Sequence, residues 1–166
     1  MENQTIHKLK ELTEERKQFF EEYLQITREL TGLKEEDVER ITAGIGQREA
    51  LAARIDVLTE QSRAVCSPHG KEVGPPERKL QAILQCRADF SLLREEEKEL
   101  FLLCQSVNRL LAEIQDLNGL LHRNFQDIRK KLQESIRRNN TDSKLAGYLN
   151  QMNYGASKGV LYDSRK

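Results

Sequence analysis

From Ile83 onward, positions 83, 86, 90, 93, 97, 100, 104, 107, 111, 114, 118, 121, 125, 128 and 132 alternate steps of three and four residues without a slip. Only Glu97 and Asn118 among them are polar. This spacing returns a side chain to the same helix face every two turns, so it predicts one apolar seam along a single long helix. Fifty residues in this register would form a rod of roughly 75 Å. Leu103, Leu110 and Leu117 repeat every seven residues beside the seam, widening the apolar face beyond that of a two-stranded coiled coil. Such a helix needs at least two neighbours.

The neighbours are legible upstream. Leu9, Leu12, Phe19, Tyr23, Ile26, Leu30 and Leu33 predict a helix over 3–31, with Arg16 as the one polar interruption. Gly32 follows as a left-handed C-terminal stop. Val38, Ile41, Ile45, Leu51, Ile55 and Leu58 predict a second helix over 34–65. Gly44 and Gly46 within it each cost about 1 kcal/mol relative to alanine, which points to a kink or a close helix approach. All three prolines, Pro68, Pro75 and Pro76, lie in the loop that follows, and Pro76 can open a third helix over 77–137. The expected fold is all-α: an elongated antiparallel bundle of three long, coiled-coil-like helices over 1–138, with a flexible tail over 139–166.

The lengths leave a mismatch. Helices of about 30 residues span about 45 Å, too little to cover the whole third helix. Either the third helix breaks near Asn118-Gly119, or its far half, carrying Leu121, Phe125, Ile128 and Leu132, is left for a second copy or another protein. An apolar stripe left in water is an aggregation hazard. In the tail, Leu145, Tyr148, Leu149 and Met152 follow at i, i+3, i+4 and i+7. So short a stripe cannot hold a helix alone, and Gly147, Gly155 and Gly159 raise its ordering cost. The tail therefore reads as a partner-binding segment, and with the far half of the third helix it forms the candidate surface.

Composition narrows the function classes. With 33% charged residues, 5% aromatic residues and no Trp, the chain suits an extended helical assembly better than a compact globule. From Arg137 onward there are six Lys or Arg against two Asp, so the formally neutral chain hides a basic tail. Arg129, Lys130, Lys131, Arg137 and Arg138 surround Ile128, Leu132 and Ile136 as the polar face of a bundle helix would, so nucleic acid is not the expected partner. No stretch approaches the ~20 apolar residues of a membrane span, and no apolar leader is expected at the N-terminus. Cys66, Cys86 and Cys104 form no CxxC and are odd in number, so they read as small core residues of a reducing, cytoplasmic compartment. On one helix Cys86 and Cys104 would stand about 27 Å apart and could not bridge.

No catalytic, metal or cofactor constellation emerges. His7, His69 and His122 have Gln4, Cys66 and Gly119 three residues before them, which removes the Glu-x-x-His pairs of di-metal bundles. Cys66-Ser67-Pro68-His69 offers two ligands where a zinc site needs four. Phosphate loops and nucleophile elbows are missing from the sequence. The expected protein is a non-enzyme without cofactors.

Three stretches resemble the FlgN-type flagellar export chaperones. GLKEEDVERITAGIGQREALAARIDVLTEQ is similar to the family's second helix, and LLCQSVNRLLAEIQDLNGLLHRNFQDIRKKL to its long third helix. NYGASKGVLYDSRK resembles its closing segment. The resemblance implies a cytoplasmic, substrate-specific chaperone of flagellar type III secretion and flagellum biogenesis. It would bind the hook-filament junction proteins FlgK and FlgL before export and deliver them to the export gate protein FlhA. Client binding would then fall to Leu121, Phe125, Ile128, Leu132, Leu145, Tyr148, Leu149 and Met152, and export-gate contact to Tyr154. The alternative is a non-enzymatic coiled-coil scaffold or adaptor with a C-terminal linear motif, and a homodimer is compatible with either.

Overall fold

The computed structural model describes residues 2–66, 74–139 and 149–151. The fold is all-α, with no strand among the described residues. Helix α1 covers Glu2–Thr31, α2 Val38–Cys66, α3 Pro75–Leu84 and α4 Glu95–Asn139, and short 3-10 turns occupy Glu35–Asp37 and Phe90–Leu92. The first helix matches its expected span, and the second starts later than expected because residues 35–37 form the tighter turn. Leu149–Gln151 is helical and lies within the otherwise undescribed C-terminal region. The chain divides into two compact units, Met1–Glu21 with Ala53–Leu110, and Glu22–Ala52 with Leu111–Lys166.

In the first of these units, the expected single helix over 77–137 is two helices. Pro75 starts α3, with its preceding Gly74 N–H donating to the Glu77 carboxylate. The helix stops at Cys86, which adopts φ 55°. Its N–H donates to Ile83 O at 3.0 Å and the Arg87 N–H to Ala82 O at 2.8 Å, the two crossing bonds that close a helix with a left-handed residue. Glycine is the usual occupant there, and no glycine marks the stop in the sequence. The chain then turns through Asp89, whose carboxylate accepts the Ser91 N–H at 3.0 Å, and enters α4. The core of this unit joins Ile6 and Leu9 of α1, Cys66 of α2, Ile83 of α3, and Leu93, Leu100, Phe101 and Cys104.

Glu97 explains itself here. It is the third residue of α4, and its carboxylate accepts the Arg94 N–H at 2.8 Å, satisfying an orphan donor at the helix start. Lys79 Nζ, 2.7 Å away, and the Arg94 guanidinium at 2.9 Å complete its shell, so this buried carboxylate ties α3 to α4. Burial alone would push its pKa up. The bonds from Lys79 and Arg94 outweigh that effect and hold it at about 2. Lys10 pairs with Glu99 on the exposed side of the same unit.

In the second unit, α4 runs unbroken through Asn118-Gly119, so of the two alternatives left open the break there is not seen. Asn118 is instead an acceptor for the buried Arg48, whose Nη2 lies 2.7 Å from Asn118 Oδ1 and 2.6 Å from Tyr23 Oη. The guanidinium also stacks 4.5 Å from the Tyr23 ring centroid. Gly44 marks a close approach: a Cβ there would meet Leu30 Cδ2 at 2.7 Å, whereas one on Gly46 would meet nothing. Gly32 is not left-handed. Helix α1 ends on i→i−3 bonds from Gly32 and Leu33, and Asn124 of α4 donates to Thr31 O and Leu33 O at 3.4 and 3.2 Å. A side chain from another helix thus satisfies carbonyls that a terminus leaves orphaned.

Candidate functional site

The candidate surface lies in the second unit. Leu121, Phe125, Ile128 and Leu132 point from one face of α4 into a cluster with Leu30 and Leu33, Val38, Ile41 and Ile45 of α2, and Leu149. Ile26 and Ile136 pack against its edge. The four α4 residues are between 2% and 7% exposed. The expectation that this half of the helix is left uncovered is therefore corrected: the chain's own residues cover it. The reason is register. Asn124 meets the last carbonyls of α1, so α1 ends beside the middle of the stripe and the 32–37 connection with the start of α2 fills the rest.

Leu149 is the one residue of the expected tail stripe whose placement can be described, and it is 8% exposed in this cluster. It is thus an apolar residue from beyond α4 seated among Leu121, Phe125, Ile128 and Leu132. Leu145, Tyr148, Met152 and Tyr154 lie outside the described residues, as does His69 with the Cys66-to-His69 turn. Charges rim the cluster: Lys131 Nζ reaches Glu35 at 3.1 Å, and Arg28 pairs with Glu113. These are exposed ion pairs that solvent screens.

Among the described residues no group of three or more His, Cys, Asp or Glu could hold a metal ion, and no helix is long and apolar enough to cross a membrane. His7 Nε2 lies 3.3 Å from the Glu11 carboxylate on the exposed face of α1, and His122 lies 3.4 Å from Gln126.

Two buried polar features escaped the sequence reading. One is Arg48 with Tyr23 and Asn118, described above; Arg48 Nε has no hydrogen-bond partner. The other is a gathering of thiols in the first unit. Because the expected helix breaks, Cys86 and Cys104 are not about 27 Å apart along one rod. Cys86 packs against the cluster that contains Cys66 and Cys104, and its sulfur accepts the Asn108 amide at 3.3 Å. Burial, helped by the neighbouring Cys86, pushes the Cys104 thiol up to about 12. Arg16, the polar interruption of the α1 stripe, lies close enough to Cys104 to oppose that rise. Burial in turn lowers the Arg16 pKa.

No family model, curated protein or solved structure matches the chain.

Proposed function

We propose that this chain is a non-enzymatic export chaperone of the FlgN type, holding FlgK and FlgL in the cytoplasm and handing them to FlhA. The sequence resemblance supplies the identity of these partners. The observation that supports a helix-binding mode is Leu149: an apolar residue from beyond α4 already sits among Leu121, Phe125, Ile128 and Leu132. A client's apolar helix can offer the same kind of side chain to the same face, by helix-in-groove packing. In this reading the four α4 residues bind the client only when the Leu149 segment yields, and Leu145, Tyr148 and Met152 move with it. The elongated antiparallel bundle and flexible tail belong to the same reading, as does gate contact through Tyr154.

The test is size-exclusion chromatography with light scattering on the full chain mixed with FlgK or FlgL. A stoichiometric complex with at least one of them is expected. Absence of a complex with both removes the chaperone reading. Self-association of the chain without either client would favour the scaffold alternative.

A further inference from the structure

We propose that Cys86 and Cys104 form a dithiol pair that a small disulfide oxidant such as oxidised glutathione converts to an intramolecular disulfide, stapling the end of α3 to α4. Four observations place the pair. Cys86 accepts from Asn108, which stands one helical turn beyond Cys104 on α4, so the Cys86 sulfur lies against the stretch of α4 that carries Cys104. Both residues belong to or pack against one apolar cluster, and Cys86 lies close enough to Cys104 to raise its pKa. Cys86 is partly exposed and Cys104 is buried, which gives an attackable thiol beside a resolving one.

The fourth observation is the backbone. Cys86 holds a left-handed conformation, φ 55°, that is unfavourable for an L-residue and nearly free for glycine. A thiol thus stands at a backbone position that favours glycine. Cys66 is the unpaired member: it ends α2, it is buried, and its influence on Cys104 is weaker than that of Cys86.

The chemistry balances with the oxidant named. The Cys86 thiolate attacks one sulfur of oxidised glutathione, forming a mixed disulfide and expelling one glutathione thiolate. The Cys104 thiolate then attacks Sγ of Cys86, forming the Cys86–Cys104 bond and expelling the second. Two thiol protons pass to solvent and glutathione, and the oxidant is reduced by two electrons to two thiols. Because burial raises both pKa values, the exchange should be slow at neutral pH and faster above pH 8.

The experiment uses the full chain, incubated with oxidised glutathione at pH 8.5, quenched with acid, alkylated in denaturant and digested with trypsin. Cys86 and Cys104 fall in separate peptides, 80–87 and 99–109, so a bond between them appears as one linked mass that reductant splits. The expected result is that link in monomeric protein, with Cys66 alkylated, and its loss in Cys86→Ser. A bond that involves Cys66, a bond between two chains, glutathione left on Cys86 with Cys104 free, or three free thiols would each overturn the pairing. Mapping the unaltered chain keeps the result independent of whether any variant folds.

Discussion

At the scale of single residues, the polar interruptions of the apolar seams carry information that periodicity alone does not. Arg16, Glu97 and Asn118 look alike in the sequence, as breaks in a stripe. In the structure Glu97 is buried inside a shell of cations, Asn118 anchors Arg48, and Arg16 borders Cys104. Their partners come from other elements, so no local pattern names them. The glycines of α2 were similarly ambiguous, and geometry separates them. Gly44→Ala should destabilise by about 1–3 kcal/mol, because its Cβ would press into Leu30. Gly119→Ala, in open space, should stabilise by up to about 1 kcal/mol. Urea denaturation followed by circular dichroism measures both, and equal effects of the two substitutions would contradict the close approach.

At the scale of elements, the helical spacing was readable, while the start of α2 and the break after Leu84 were not. The six apolar positions expected to face inward from α2 are all buried. The missed break after Leu84 has a specific cause: the three-four register continues through Cys86, Phe90 and Leu93, and the residue that stops the helix is cysteine. Glu97, which opens α4 and holds Lys79 of α3, gives this junction a pH dependence. Its folded pKa, about 2, lies below the ordinary value of 4.5. The unfolded chain therefore binds the proton more readily, so the stabilisation is present above about pH 4.5 and lost as pH falls toward 2. The urea midpoint should drop over this window. In Glu97→Gln the midpoint should be lower at pH 6 and its acid dependence shallower; an unchanged acid slope would show that other carboxylates govern it.

At the scale of the whole molecule, the all-α class follows from the sequence, while the covering of the α4 stripe does not. Counting helix lengths treats each helix as a rod laid against another from end to end, and this leaves out the 32–37 connection and Leu149. Both enter the apolar cluster of the second unit, where Leu33 and Leu149 are buried with Phe125 and Ile128. If Leu149 occupies the face that a client uses, Leu149→Ala should act in two directions. Folding stability should fall by about 2 kcal/mol, from the lost leucine side chain. Affinity for FlgK or FlgL should rise, since less must be displaced. Calorimetric titration decides the second point, and weaker binding would mean that Leu149 touches the client instead.

The turn between α3 and α4 also governs how much length the chain spends. As helix, the ten residues 85–94 would advance about 15 Å along a single axis. Folded as a left-handed stop, a short turn and a new start, they return the chain to the cluster that α3 has just left, where Ile83 and Leu93 are buried together. The segment takes up slack. Its apolar spacing would suit a straight helix equally well, so the hydrophobic pattern alone does not choose between rod and fold. That choice falls to directional contacts: the crossing bonds at Cys86, the Asp89 turn and the Glu97 carboxylate.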